Sequence, residues 1–285
     1  MLTTKLTVSI KAAAGAIVTE PTKVLIIGAG QMGGAIAAGL KRSNQDISIT
    51  AIDPNPARRE EMKMMGILAL ENLPTQIASS AIILAIPPQI FEALSKQSPQ
   101  LLRYDGLIIS VMAGIHTLDL STQLNTNQIC RAIPNIACAL GESMTVLAHQ
   151  SKLTVKNSAL VDNIFSRLGR FLVIKDESLI DAATALVGGG PAYISYFTAA
   201  LIEYAISAGF DEAQATSMVI QTLRGATSLI ESSAAPPMTI CEKVMTPDGT
   251  TVRAINFFNR LQLRTIIIDG LKHSRARSSE LGGGA

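Results

Sequence analysis

The chain has 285 residues, enough for two modest domains that each bury a core. It is 48% apolar and 16% charged with a formal net charge of +2, which excludes a disordered chain and leaves no basic footprint for nucleic acid. Aromatic residues make up 4% and Trp is absent, so a base-stacking platform is excluded as well. Cys130, Cys138 and Cys241 include no C-x-x-C pair, and point to a reduced, cytoplasmic setting. His116, His149 and His273 have no metal-ligand spacing, and no metal is expected.

Residues 1–22 read as a flexible leader of small and hydroxyl-bearing side chains, with no long apolar core of the signal-peptide kind. An organelle transit segment is the second reading. Short β-branched apolar runs then alternate with helical patterns. Strands are expected at 24–27, 47–52, 81–86, 107–111, 129–133 and 145–148, with a closing strand at 171–174. Several lack polar alternation, as strands covered on both faces do. Helices are expected at 31–43, 56–65, 89–96 and 118–124. This rhythm predicts a doubly wound, mostly parallel α/β sheet.

The first strand runs directly into Gly28-Ala29-Gly30-Gln31-Met32-Gly33 and then a helix, which is the context that gives a G-x-G-x-x-G meaning. Gly28 allows the tight turn, Gly30 lets backbone approach a pyrophosphate, and Gly33 allows close helix packing. The helix start offers N–H groups to the phosphates. The reading is a Rossmann domain. Asp53 ends the second strand, where a carboxylate bonds the ribose hydroxyls, and this leans towards NADH over NADPH. Arg58 and Arg59 stand nearby, read as a solvated first turn of helix that could alternatively reach a 2′-phosphate.

After Lys175 the texture turns helical, with long segments from 191 towards 208, from 211 to about 232, and a last one towards 281. Asp211 is the expected N-cap after Gly209. The expected divisions are a leader 1–22, a Rossmann domain 23–175, an all-α domain 176–281 and a flexible tail 282–285. Residues 182–202 carry no charge, and ~20 apolar residues can span a bilayer. Gly188-Gly189-Gly190-Pro191 is expected to break that run, so a buried interface helix is expected and no membrane. The same turn puts a helix start where a carboxylate could bind. Thr246-Pro247-Asp248-Gly249-Thr250-Thr251 is a second turn that opens a helix.

Taken together, these motifs resemble those of pyrroline-5-carboxylate reductase, over about residues 23–281. Leu84-Ala85-Ile86-Pro87-Pro88-Gln89, Ser110-Val111-Met112-Ala113-Gly114 and Arg131-Ala132-Ile133-Pro134-Asn135 resemble family segments in order and spacing. So does the segment ending in Thr250-Thr251. The resemblance implies a helical dimerisation domain, a homodimer that can build higher oligomers, and NADPH or NADH as cofactor. It implies a dinucleotide site of Ile27, Gly28, Ala29, Gly30, Gln31, Met32, Gly33, Asp53, Asn72, Ala85, Ile86, Pro87, Ala113 and Gly114. Around a small cyclic imino acid it places Glu177, Gly189, Gly190, Pro191, Lys243, Thr250 and Thr251. Thr251 is the expected contact to the substrate nitrogen and the catalytic candidate. The implied chemistry is hydride transfer to a protonated C=N bond, catalysed chiefly by orientation and electrostatics.

The chain departs from the family pattern at three places. Val187 and Gly189 stand where the family has serines, Pro87 replaces a lysine, and Asp248 adds a carboxylate. These keep open a reductase of another cyclic imine, a substituted pyrroline, or a dinucleotide-binding protein without turnover. A β-hydroxyacid dehydrogenase is disfavoured because residues 194–207 contain no lysine.

Overall fold

A computed structural model describes residues 21–43, 46–149 and 153–282. The expected leader lies outside these residues as far as position 20, and the expected tail from 283. The chain divides into two compact units. One runs to Gly189 and takes in the chain from Ser274, and the other is Gly190–His273.

The first unit holds eight strands: β1 (Thr22–Ile27), β2 (Ile47–Ile52), β3 (Leu68–Leu70), β4 (Ala81–Leu84), β5 (Leu107–Ser110), β6 (Ile129–Ile133), β7 (Ser143–Ala148) and β8 (Gly169–Ile174). They form one sheet in the order β3-β2-β1-β4-β5-β6-β7-β8. Every neighbouring pair is parallel except β6 and β7. The 3-10 turn Ile136–Leu140 joins those two, too short a link for the crossover that a parallel pair needs.

Its helices are α1 (Gln31–Ser43), α2 (Pro56–Met64), α3 (Pro88–Gln97), α4 (Pro99–Leu102), α5 (Thr117–Leu124), α6 (Val155–Leu168) and α7 (Ile180–Ala183). Two apolar clusters cover the two faces of the sheet. Val24, Ile26, Ile83 and Ile109 pack with Ile36, Leu40 and Ile164 on one side. Leu25, Ile82 and Ile108 pack with Phe91 and Leu120 on the other. Burial on both faces explains why β4 and β5 carry no polar alternation.

Several elements differ from expectation, among them the unexpected short helices α4 and Pro237–Val244. β3 has three residues, too few to show a period. The strand expected through residue 86 stops at Leu84, because β5 pairs only with Ala81–Leu84. Helix α6 was not anticipated, although Leu160, Val161, Ile164, Phe165 and Leu168 are buried at helical spacing and Thr154 caps its start.

The second unit contains α8 (Gly190–Ser207), α9 (Glu212–Ser232), α10 (Pro237–Val244), α11 (Thr250–Arg260) and the first part of α12 (Leu263–Gly282). Gly209 turns the chain at φ +105°, and Asp211 caps α9 in a reciprocal box with Gln214. Ala205, Ala215 and Val219 are its buried apolar residues, whereas Ile194, Tyr196, Tyr204 and Ile266 are 58%, 78%, 73% and 60% exposed.

The expected break at 188–191 is a single bend at Gly189 rather than a loop. A 3-10 turn (Glu177–Leu179), α7, a π turn (Thr184–Gly188) and α8 follow in sequence, with a bend at Gly189 between the last two. The Gly189 N–H donates to the Thr184 carbonyl at 3.2 Å, a five-residue step that widens the helix. Glycines tolerate that widening, and Pro191 has no N–H to place. The stretch Glu177–Ser207 is long and apolar enough to cross a membrane by length and composition, and 6% of its apolar window is buried. Ile180 packs beneath the π turn on Ile133, Val146 and Ala148. Hence residues 177–189 group with the sheet, beyond the expected division at 175.

Candidate active site

The ends of five parallel strands, β1 to β5, carry the residues expected for a dinucleotide. The Gly28 N–H donates to the Ile52 carbonyl and the Ala85 N–H to the Ile27 carbonyl, each at 2.8 Å, knitting three strand ends together. Gly28 has φ +96°, and a Cβ there would strike the Ala85 carbonyl. A Cβ on Gly33 would strike the Gly28 carbonyl. At Gly30 an added Cβ would meet nothing within 4 Å. The outer glycines therefore hold the turn, and the middle one keeps its surface clear. With the first N–H groups of α1 pointing out of the same turn, the residues fit a dinucleotide pyrophosphate.

Asp53 is tied into this turn. Its Oδ2 accepts from the Ala29 N–H and its Oδ1 from the Asn55 N–H, each at 2.8 Å. A carboxylate has about four acceptor positions, so capacity remains for a ribose hydroxyl. Arg58 pairs with Glu61 at 2.8 Å. Arg59 departs from the solvated reading: it donates to the carbonyls of Asp53 at 2.9 Å and Pro54 at 2.7 Å. An open groove of ≈ 300 Å³ beside the start of α1 is lined by Gly30, Gln31, Arg58, Met62 and Ile136, among others.

Asn72 lies exposed just beyond β3, while Ala85, Ile86 and Pro87 link β4 to α3. Ala113 and Gly114 lie in the loop of residues 111–116 after β5, where Gly114 has φ +79°.

Next to that loop Glu177, expected at the imino acid, pairs with Arg131, a residue to which the sequence reading gave no role. Arg131 is 1% exposed in the middle of β6, and its Nη1 donates to Glu177 Oε1 at 2.7 Å. The same oxygen accepts from the Thr117 N–H at 2.8 Å, with His116 Nδ1 at 3.8 Å. Arg131 Nε and Nη2 have no hydrogen-bond partner among the described residues. An unsatisfied buried donor costs about 1–3 kcal/mol. Burial pushes the Glu177 pKa up, but bonds from Arg131 and Thr117 and the guanidinium charge outweigh it and hold the carboxyl below its ordinary value. One signal was available in the sequence, a lone cation inside the otherwise apolar Ile-Cys-Arg-Ala-Ile strand. Nearby, Asn135 Nδ2 donates to the Val187 carbonyl at 3.1 Å and ties the π turn to the end of β6.

The second unit carries Gly190, Pro191, Lys243, Thr250 and Thr251, while Glu177 and Gly189 belong to the first. Lys243 is exposed near the end of α10. Thr250 and Thr251 open α11, as the turn motif implied, with Gly249 at the N-cap. Asp248 adopts φ +56° and does not cap the helix. Burial raises the pKa of two cysteines, with Cys130 driven far up and Cys138 up to about 12, so neither supplies a thiolate.

A curated pyrroline-5-carboxylate reductase of Synechocystis sp. is 30% identical over 262 residues, covering 90% of this chain and 97% of the relative. The chain belongs to the pyrroline-5-carboxylate reductase family. The enzyme of that name from Pisum sativum is 29% identical over 93% of this chain and 98% of its own length. The family model described as pyrroline-5-carboxylate reductase dimerisation matches residues 177–281. One described as NADP oxidoreductase, coenzyme F420-dependent, matches residues 23–114. Among solved structures, the Plasmodium falciparum pyrroline carboxylate reductase with NADP bound has TM-score 0.83 at 23% identity, covering 92% of this chain and 99% of that one.

Proposed function

We propose that the chain reduces 1-pyrroline-5-carboxylate to L-proline with NADPH or NADH. The observation that carries this is the clear face at Gly30 in the strand–turn–helix, in a chain that keeps the Thr250-Thr251 helix start. Ile27, Gly28, Ala29, Gly30, Gln31, Met32, Gly33, Asp53, Asn72, Ala85, Ile86, Pro87, Ala113 and Gly114 form the proposed dinucleotide site. When bound, the reduced nicotinamide supplies the hydride. Gly189, Gly190, Pro191, Lys243, Thr250 and Thr251 are proposed to surround the imino acid, with Glu177 beside them.

The chain's own residues bind and orient. N–H groups at the start of α11 and the Thr250 hydroxyl hold the substrate carboxylate. Thr251 contacts the ring nitrogen, which accepts hydride on its neighbouring carbon most readily when protonated. No strong base is required, and placement supplies most of the rate. The helical unit pairs two copies, whose dimers build larger assemblies in a cytoplasmic setting without membrane insertion. That pairing covers the apolar side chains which the single chain leaves exposed.

A second reading, another cyclic imino acid, is favoured by Val187, Gly189 and Asp248. Two hydroxyls of the family pattern are replaced, and a carboxylate lies near an acidic substrate's place. The test is dinucleotide oxidation with pyrroline-5-carboxylate beside substituted pyrrolines. The expected result is highest kcat/KM for pyrroline-5-carboxylate. Faster turnover of another imine selects the second reading, and binding without oxidation sinks both. NADH is expected to be preferred, from Asp53. A tenfold preference for NADPH, about 1.4 kcal/mol, would reverse that lean.

A further inference from the structure

We propose that Arg131 and Glu177 are positioning residues for this reduction, forming a buried ionic clasp through which β6 sets the loop of residues 111–116. The proposal rests on the function given above, because that loop carries Ala113 and Gly114 of the proposed dinucleotide site.

The geometry runs through one atom. Glu177 Oε1 takes the Arg131 Nη1 donor at 2.7 Å and the Thr117 N–H at 2.8 Å. Thr117 directly follows the loop and opens α5. The other end of the loop is anchored separately, by the Val111 N–H on the Leu84 carbonyl at 3.0 Å and the Met112 N–H on Ser110 Oγ at 3.3 Å. Between the two anchors stand Ala113 and Gly114. Releasing Thr117 would remove the hydrogen bond at that end and leave it held by the packing of Ile115 and α5 on the core.

Stability alone does not account for the clasp. An apolar side chain in the centre of a buried strand is as stable as an ion pair, or more so. This strand instead keeps a guanidinium whose Nε and Nη2 have no partner among the described residues. What the cation adds is a fixed direction for the Glu177 carboxylate, and so for the Thr117 amide and the loop before it. Hydride transfer is sensitive to misplacement of about 1 Å, which gives such fixing a kinetic role.

Thr117→Pro tests this without touching the ion pair. It removes the N–H that Glu177 binds, at a first helical position that suits proline. His116 before it already has the extended backbone that proline demands, φ −77° and ψ 156°. In the full-length protein, we expect the dissociation constant of the oxidised dinucleotide to rise at least fivefold and kcat to fall at least tenfold. The imino acid KM should stay within about twofold and the thermal midpoint within a few degrees. A folded Thr117→Pro with wild-type kcat and dinucleotide affinity overturns the proposal. Should that variant not fold, Arg131→Lys, which keeps the charge but loses the directed guanidinium donor to Glu177, decides by the same readouts. A wild-type protein that binds dinucleotide but reduces no imine defeats the proposed function, and the clasp is then judged on dinucleotide affinity alone.

Discussion

Gly30 and Gly33 sit three residues apart in one motif, yet the structure separates their work. A Cβ at Gly33 meets the Gly28 carbonyl, whereas one at Gly30 meets nothing within 4 Å. Gly33→Ala is therefore expected to destabilise the fold by about 1–3 kcal/mol, the usual penalty of overpacking. Gly30→Ala should melt as the wild type does and instead lose dinucleotide affinity, by tenfold or more. Thermal melts with a dinucleotide titration check both, and equal melting of the two variants would remove the distinction. Glu177 makes a pH prediction at the same scale. Its folded pKa is lowered from 4.5, so its contribution to stability is present above that value and lost as pH falls through the folded one. Melting temperature should drop below about pH 4.5 with a slope that Glu177→Gln reduces. An unchanged slope in that variant would assign the acid sensitivity to other carboxylates.

At the scale of elements, two helix starts show how local chemistry sets boundaries. Asp211 accepts from the Gln214 N–H at 2.8 Å and Gln214 Oε1 accepts back from the Asp211 N–H at 3.3 Å. Asp211→Ala should cost about 1 kcal/mol in urea or thermal unfolding, the usual value of a lost cap. A cost near zero would mean that packing of α8 on α9 fixes the turn without help. The glycine-rich stretch before α8 behaves differently. Its composition reads as a break, but the Asn135 bond to the Val187 carbonyl and the packing of Ile180 on β6 and β7 confine it to a bend at Gly189. A long-range contact overrides local preference there, and no local window contains that information. Helix α6 is the opposite case, since its apolar spacing and its Thr154 cap are both local and present in the sequence.

For the whole molecule, the exposed apolar side chains of the second unit imply a second copy. Leu201 on α8 and Ile266 on α12 are 46% and 60% exposed, more apolar surface than a solitary helical unit keeps in water. Sedimentation should give at least twice the chain mass, and Leu201→Glu with Ile266→Glu should weaken association at least tenfold. A wild-type monomer at micromolar concentration would remove the dimer. The sequence by itself determined the α/β class, the glycine turn on its strand and helix, and the helical second half. Each of these is written in neighbours a few residues apart, as period, turn chemistry or cap. Only the tertiary structure decided that Asp53 is bonded to the glycine turn and that residues 177–189 pack on the sheet. It alone joined Arg131 to Glu177, which lies 46 positions further along the chain. Such partners are chosen by the stacking of strands and the burial of charge, and those exist only once the chain has folded back on itself.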